Sequence, residues 1–404
     1  THPSHVRAVA DGLEEGNVLF VVSSKSGGTI ETMSLYSYFR NRAQDARSFA
    51  AITDPGTSLQ ELADREGFAG VFLNPPDVGG RYSALSLFGL VPAALIGVDL
   101  DALLEPAAAM ASACGPSVPP AENPGLAIGH AIGTLAAGGR DKLTFLTSPA
   151  LAPFGDWVEQ LIAESTGKRG RGIVPVVGEP FLDRYGDDRV FVHMRLEDDS
   201  ALDARVDDLA AAGHPLIRLD VRGPEDVGAQ MFLWEFATAV AGAVLGINAF
   251  DQPDVEAAKR AGRAVLDSPD VPEWPEEDID ALFDDVAPGD YAAFLAFAPR
   301  TAEGAATLET ARAKVGRAHG IATMGGFGPR YLHSTGQLHK GGPDTLRAVM
   351  ILDPPGDDLE IPDRPYTFGR LIRAQAAGDY RALKDVGRRV ARTTWSKFAE
   401  WAGA

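Results

Sequence analysis

Short apolar runs of strand length alternate with helical segments in the first part of the chain, and this alternation restricts the folds open to it. The runs lie at residues 18–22, 49–52 and 71–73, and helices are expected at 33–42 and 58–65. Continuous apolar runs are typical of parallel strands that are covered by helices on both faces. The pattern therefore predicts a doubly wound α/β fold.

Two further series of elements follow. After a proline-rich break at 118–125, strands are expected at 142–146, 173–177, 190–194 and 215–219. After an acidic stretch at 268–290, strands are expected at 291–297, 320–324 and 348–352, with amphipathic helices from Thr367 onward. Because 404 residues exceed one ordinary core, we predict three regions, at 1–116, 117–266 and 267–404.

Composition excludes several classes of function. The net charge of −19 argues against nucleic acid and anionic membranes as partners. The single cysteine, Cys114, excludes a disulfide framework and suits a reducing cytoplasm, where we expect the protein. The histidines form no HExxH pair or tight cluster, so we expect no metal or other cofactor. The apolar segment 231–250 lacks flanking Lys/Arg clusters and is predicted to be a buried core helix.

The loop after the first apolar run has the composition of a phosphate site. Residues 23–32 are rich in hydroxyl groups and glycine, and they lead into the next expected helix. Backbone N–H groups at such a helix start point toward an anion, and Ser24, Ser26 and Thr29 add hydroxyl donors. Lys25 is the only cation and the Walker spacing is absent, so a phosphomonoester fits better than a nucleoside triphosphate. A polar turn that merely caps the helix is the alternative.

A carboxylate near the end of a later helix is a candidate general base. Helical spacing places Trp157, Leu161 and Glu164 on one face, whereas Glu159 points elsewhere. Glu164 lies close to the helix end that Gly167 is expected to cap, where burial and the helix dipole would both raise its pKa. A surface glutamate at a fraying helix end is the alternative.

Two basic residues are further candidates. Arg81 precedes the apolar segment 84–95, so we expect its guanidinium and a helix N-terminus to act on one anionic point. Lys259 lies in a helix that is expected to start at Pro253. The alternatives are a solvated arginine and an exposed lysine paired with Glu256.

Three histidines remain open as candidates. His333 and His339 lie in a long polar loop, 327–343, of the kind that tends to be functional when it is ordered. His214 stands at the start of an expected strand, where capping that strand is its simplest role.

Taken together, these segments resemble the glucose-6-phosphate isomerase family, whose core is a pair of sugar-isomerase (SIS) lobes. The resemblance rests on four motifs in chain order: the phosphate loop at 24–29, the arginine segment at 79–83, the catalytic glutamate motif at 163–168 and the lysine helix at 248–259. The polar loop 327–343 extends the resemblance toward isomerases that are fused behind a transaldolase. It implies two doubly wound SIS lobes followed by a C-terminal α/β region.

The resemblance also implies a reaction and a role for each motif. The reaction is a metal-independent conversion between glucose 6-phosphate and fructose 6-phosphate through an enediol. The implied binding residues are Ser24, Ser26, Thr29 and the Lys25 backbone for the phosphate, and Gln252 for the sugar. The implied catalytic residues are Glu164 for proton transfer between C2 and C1, Arg81 for the enediolate, and Lys259 with a histidine for ring opening. Gln252 stands where members with mannose activity tend to carry threonine, which implies glucose alone.

Two implications concern partners. His214 is chosen as the ring-opening histidine because its place is similar to that of the histidine which this family supplies from a neighbouring subunit, and this implies a two-fold homodimer. In the family a Gly-Gly-Ser loop and its strand lie upstream of the segment where this chain begins. We therefore expect an N-terminally incomplete first lobe, with a transaldolase portion possible upstream.

Two other functions are compatible with the sequence. One is a non-catalytic sugar-phosphate sensor, which would have no use for Glu164, Arg81 and Lys259 together. The other is an isomerase of a mannose or amino-sugar phosphate.

Overall fold

The computed structural model describes residues 1–13, 18–253, 262–268 and 273–403. They form two compact units, residues 1–104 with 355–372 and residues 105–354 with 373–404. The first unit contains one parallel sheet and the second contains two. The doubly wound α/β prediction is confirmed by these sheets and their helices. The region boundaries at 116 and 266 stay a prediction.

The sheet of the first unit has the order β1-β2-β3. Its strands are β1 (Phe20–Ser23), β2 (Phe49–Thr53) and β3 (Gly70–Leu73). The helices of this part are α1 (Pro3–Asp11), α2 (Ile30–Arg40), α3 (Ser58–Glu66), α4 (Leu87–Leu95) and the start of α5 (Leu100–Ala113). All five residues of β2 are buried, as expected of a central parallel strand. Phe49 on β2 packs against Tyr36 of α2 and Leu59 of α3, and this cluster is the core that supports the loop after β1.

The first sheet of the second unit has the order β5-β4-β6-β7. Its strands are β4 (Lys142–Thr147), β5 (Val174–Val176), β6 (Arg189–Leu196) and β7 (Leu216–Val221). Its helices are α6 (Pro124–Ala137), α7 (Ala152–Thr166), α8 (Asp203–Ala211) and α9 (Val227–Leu245). Helix α7 follows β4 and is buried along its whole second half, so the side chains of its last two turns are fixed by packing.

The other sheet of the second unit has the order β11-β10-β8-β9. Its strands are β8 (Tyr291–Phe297), β9 (Ala322–Phe327), β10 (Leu346–Leu352) and β11 (Arg389–Thr394). Its helices are α10 (Ala302–His319), α11 (Gly336–Gly341), α12 (Phe368–Asp385) and α13 (Trp395–Ala402). Strands β8 and β10 are fully buried and pair in parallel, with Phe294 opposite Val349.

The expectation of helices alone after Thr367 is wrong, because β11 occupies residues 389–394. The strand was missed because its sequence mixes arginine with small residues instead of forming an apolar run. Its buried side chains are Val390, Ala391 and Thr393, while Arg392 lies beside Glu277 and over the ring of Tyr380. Ion pairing with residues far away in the sequence makes this charged strand compatible with a sheet edge.

Helix α9 is apolar, and it is partly buried in the second unit. Within the described residues, Pro224–Leu245 is the one helix with the length and composition to cross a membrane, and half of it is covered by protein. It packs closely on α6, where a Cβ atom at Gly129 would lie 2.4 Å from the carbonyl oxygen of Ala237. Trp234 and Ala241 on its buried face are fully covered, in agreement with the predicted core helix.

Candidate active site

The hydroxyl-rich loop after β1 is held in shape by its own side chains. Ser24 is buried, and its Oγ lies 2.9 Å from Oγ1 of Thr29. Thr29 is the N-cap of α2, yet its hydroxyl does not bond the helix. Ser26 is exposed and accepts a weak bond from the Gly28 N–H at 3.4 Å. The loop thus places hydroxyl groups beside the start of a helix, where an anion is favoured.

The ammonium group of Lys25 is engaged inside the first unit. It donates to the carboxylate of Asp54 and, at 2.9 Å, to the carbonyl oxygen of Pro76. The loop also needs Gly27, because φ is +70° there and a Cβ atom would lie 2.8 Å from the Leu59 nitrogen. These contacts leave the predicted phosphate role of Lys25 to its backbone.

Arg81 is buried with an exposed fraction of 6%, although arginine is usually exposed. It lies in a single 3₁₀ turn, Gly80–Tyr82, and its guanidinium is 5.5 Å from the centre of the Tyr82 ring. Helix α4 starts only at Leu87, so Arg81 is not directly before a helix N-terminus as expected. Burial of this guanidinium in the first unit keeps it a candidate for binding an anion.

Glu164 lies on the last turn of α7 and is buried, with an exposed fraction of 7%. Its Oε2 accepts a hydrogen bond from Nε2 of Gln160, one turn earlier, at 3.2 Å. The predicted buried position is therefore confirmed. Residues 161–168 are all buried, however, so the spacing argument did not single out Glu164.

Gly167 ends α7 for a reason that the sequence did not reveal. Its φ is −73°, so no left-handed cap requires a glycine there. A Cβ atom would lie 2.3 Å from Cα of Leu338 on α11, which shows how closely that helix approaches. Gln337 donates from Nε2 to the Gly167 carbonyl oxygen at 2.8 Å and so satisfies one of the last carbonyls of α7. The turn that carries Glu164 is thus clamped by α11.

Glu159 is a second buried carboxylate on α7, with an exposed fraction of 8%. Burial raises the pKa of Glu159 to about 7, and Arg330, whose NH1 lies 3.9 Å from Oε1, opposes this increase. Helical spacing directed Glu159 away from the face of Glu164, and its contact with Arg330, about 170 positions later in the chain, has no signal in the local sequence. A perturbed carboxyl of this kind is a candidate for acid–base work.

The other predicted residues of the second unit lie apart. His214 precedes β7, at one edge of its sheet, where its ring packs on Phe191 and burial lowers its pKa. Helix α7 leads into β5 at the opposite edge, roughly 14 Å away at about 4.8 Å per strand spacing. Within one chain, therefore, His214 and Glu164 are not brought together. Gln252 is exposed, and Lys259 lies outside the described residues.

His339 is a poor candidate for proton transfer with solvent or sugar. It is 1% exposed, and its Nδ1 lies 3.1 Å from the hydroxyl of Tyr291. Burial, with the charges of Lys340 and Arg388, lowers the pKa of His339 to about 3. This ring is part of the core, whereas His333 is only half-buried.

In the parts of the chain that the structure describes, no three His, Cys, Asp or Glu side chains are grouped so that they could hold a metal ion. The same parts do contain clustered charges, but these form ion pairs. Arg189, for example, pairs with both carboxylate oxygens of Glu179, at 2.8 and 3.0 Å.

Comparison with known proteins finds relatives that belong to one family. No family model matches the chain. The chain is 31% identical over 318 residues to the glucose-6-phosphate isomerase of Rubrobacter xylanophilus, covering 66% of this chain and 73% of that protein. It is also 31% identical over 314 residues to the probable glucose-6-phosphate isomerase of Natronomonas pharaonis, covering 67% of this chain and 73% of that one.

Two solved structures resemble the chain. A hypothetical protein from Thermus thermophilus has a TM-score of 0.57 at 27% identity, covering 65% of this chain and 75% of that one. A glucose-6-phosphate isomerase from Chlamydia trachomatis has a TM-score of 0.51 at 20% identity, covering 65% and 62%. At that identity the second likeness concerns the fold alone.

Proposed function

The chain belongs to the glucose-6-phosphate isomerase family, and from this membership we propose that it interconverts glucose 6-phosphate and fructose 6-phosphate. The observation that carries the proposal is the buried carboxylate of Glu164, on a helix turn that is clamped by α11. A carboxylate that is held in one place and shielded from water is suited to remove a proton from carbon. A sensor protein would not need it.

The chemistry assigned to Glu164 is a proton transfer between adjacent carbons. Its carboxylate removes the proton from C2 of the open-chain aldose, and the C–H electrons form the C1–C2 double bond while the C1 oxygen gains negative charge. Transfer of the O2 proton to O1 and return of the carbon proton from Glu164 to C1 then produce the ketose. Oxidation at C2 equals reduction at C1, so the proposed reaction uses no redox partner, and we propose that it is metal-independent. Arg81 would stabilise the enediolate oxygen.

The remaining candidates are assigned to binding and to ring opening. Ser24, Ser26, Thr29 and the backbone of Lys25 would bind the phosphate, whose binding energy helps to position the sugar. Gln252 would contact the sugar. Lys259 and His214 would open the ring, with His214 supplied by the second copy of a homodimer.

A coupled assay tests the proposed function. Fructose 6-phosphate is added to the purified chain, and glucose 6-phosphate is detected through its dehydrogenase. We expect turnover, with mannose 6-phosphate converted at least tenfold more slowly. Binding of fructose 6-phosphate without any turnover would support the sensor, and equal turnover of mannose 6-phosphate would overturn the choice of substrate.

The homodimer, a cytoplasmic location and a role in glycolysis and gluconeogenesis belong to the same proposal. Sedimentation of the active protein checks the first of these. We expect an active dimer, because His214 precedes the edge strand β7 whereas α7, the helix of Glu164, leads into β5 at the opposite edge. A fully active monomer would contradict this arrangement.

A further inference from the structure

Lys168 is a buried cation that follows the helix of Glu164 and reaches a different segment of the second unit. Its side chain is 3% exposed. The ammonium donates to the carbonyl oxygen of Asn248 at 2.6 Å and to that of Asp251, and it lies 2.8 Å from Oδ1 of Asp251. Three acceptors therefore surround a group that has three donors, which is the arrangement that makes a buried charge tolerable.

The acceptors belong to the loop that leads to Gln252. Asn248 shapes this loop from within, because its Oδ1 accepts from the Phe250 N–H at 3.0 Å. Ala249 is buried against Gly242 of α9, where a Cβ atom on the glycine would lie 2.8 Å from the Cβ of Ala249. The ammonium of Lys168 bonds the carbonyl oxygens of Asn248 and Asp251, on either side of the buried Ala249. The backbone direction at Asp251, the residue before Gln252, is thereby fixed.

The backbone around Lys168 is itself held in place. Gly167 accepts from Gln337, and the Gly170 N–H donates to the carbonyl oxygen of Gly341 at 2.9 Å. The end of α7 is thus fixed to α11 on both sides of Lys168. The ammonium of Lys168 therefore connects the end of α7 with the loop 248–252, and each of these is held in shape by other contacts.

We propose that Lys168 is a positioning residue that holds the loop 248–252 in register with the helix end that carries Glu164. This inference rests on the proposed function, since it assigns the loop to sugar binding through Gln252. Lys168 does not take part in proton transfer, because carbonyl oxygens and a carboxylate surround its ammonium. Its loss should therefore weaken substrate binding more than it slows the chemical step.

Arg171 offers a matched control. It is a cation of the same segment, and its NH1 donates to the carbonyl oxygen of Leu245 at 2.6 Å, at the end of α9 and outside the loop 248–252. If the position of a cation within this segment did not matter, Lys168→Met and Arg171→Met would have the same effect.

The experiment measures KM and kcat for fructose 6-phosphate, and the dissociation constant of glucitol 6-phosphate by calorimetry. Glucitol 6-phosphate has an open chain and cannot isomerise, so it reports binding without turnover. For Lys168→Met we expect KM and the dissociation constant to rise at least tenfold, with kcat reduced less than threefold. For Arg171→Met we expect all three within twofold of the unaltered protein. Values for Lys168→Met within twofold would overturn the inference.

Chemical rescue distinguishes positioning from a general loss of folding. Lys168 lines a cavity of about 590 Å³, which gives a small amine a route to the vacated place. Propylamine should lower the KM of Lys168→Ala at least threefold, toward the value of the unaltered protein. It should leave the KM of Arg171→Met unchanged. No change with the amine would contradict the positioning role.

A second variant covers the case in which the lysine variants do not fold. Asp251 has a side chain that is about half exposed, so Asp251→Ala should fold. We expect a two- to fivefold rise in KM with unchanged kcat, and an unchanged KM would overturn the inference. Failure of the proposed function would look different, because the unaltered chain itself would then show no turnover.

Discussion

The two sheets of the second unit have the same topology and opposite chemistry. In each sheet the first strand lies between the second and the third, with the fourth at the edge: β5-β4-β6-β7 and β9-β8-β10-β11. The helix after the first strand is α7 in one and α10 in the other. Helix α7 buries the acid Glu164 next to Gln160, whereas α10 buries the base Arg312. Equivalent helices in one topology therefore bury groups of opposite charge.

The partners of these groups explain the difference. Arg312 donates at 2.8 Å to the carbonyl oxygens of Val177, Gly178 and Thr323, so its guanidinium fastens backbone segments of the two sheets to each other. Glu164 accepts a hydrogen bond from the uncharged amide of Gln160. One topology therefore accommodates a buried acid or a buried cation on the same helix, and the contacts of the side chain determine its role. Arg312 is structural, whereas Glu164 is the base of the proposed reaction.

The largest effect is expected from Glu164→Gln. Removal of the base should lower kcat by roughly 10²- to 10⁴-fold, because proton transfer by a positioned group contributes that much. The melting temperature should change little, since the amide keeps the shape and the bond with Gln160. Steady-state kinetics with the coupled assay measure the change. A near-normal kcat would remove Glu164 from the mechanism.

Arg312→Met should do the opposite. Three buried carbonyl oxygens lose their donor, so we expect the free energy of unfolding to fall by about 3 to 5 kcal/mol. Below the new melting temperature, kcat should stay within threefold of normal. Urea unfolding checks the first expectation. If kcat instead fell a hundredfold in a folded variant, the structural role given to α10 would be wrong.

Glu159 adds a dependence of stability on pH. Its folded pKa of about 7 lies above the ordinary value of 4.5, so the folded protein binds the extra proton between these values. This contribution to stability is fully present below about pH 4.5 and is lost as pH rises through 7, a loss of up to about 3 kcal/mol. Melting curves of Glu159→Gln from pH 5 to 8 should lack this slope. A slope equal to that of the unaltered protein would exclude Glu159 as its source.

Gly167→Ala is expected to have the smallest effect, because it removes no charged group and no hydrogen bond. A Cβ atom 2.3 Å from Leu338 Cα forces the backbone of α7 or α11 to shift and should cost about 1 to 3 kcal/mol of stability. We also expect a measurable decrease in kcat, since the turn of Glu164 moves with it. Gly138→Ala, at the end of α6 with its nearest atom at 3.4 Å, is the control and should be neutral. Equal melting temperatures for both variants would show that the contact with α11 is loose.

Local pattern was sufficient for much of the fold. Apolar runs identified the strands because parallel strands are buried on both faces, and the start of β8 at Tyr291 and its end at Phe297 were placed without error. Strand β11 was missed because its edge position allows arginine, whose partner Glu277 lies more than a hundred residues away. A strand that depends on distant charges has no local apolar signal.

The candidate site also divides into local features that could be predicted and distant contacts that could not. Burial of Glu164 could be predicted, although helical spacing did not distinguish it from the other buried residues at 161–168. The hydroxyl loop could be predicted from its composition after a strand. The clamp on Gly167 could not, because Gln337 lies on α11, far along the chain. Nor could the burial that raises the pKa of Glu159, or its contact with the equally distant Arg330. Contacts between distant segments leave no trace in the local pattern of either one.

The most direct test of the central claim follows the proton itself. Fructose 6-phosphate is incubated with the unaltered chain in D₂O, and the glucose 6-phosphate formed is examined by NMR. The account predicts deuterium at C2 of the product, because the carboxylate of Glu164 exchanges with solvent while the enediol is bound, and it predicts loss of both product and label in Glu164→Gln. Product formed by Glu164→Gln at a near-normal rate, with deuterium at C2 as before, would contradict it.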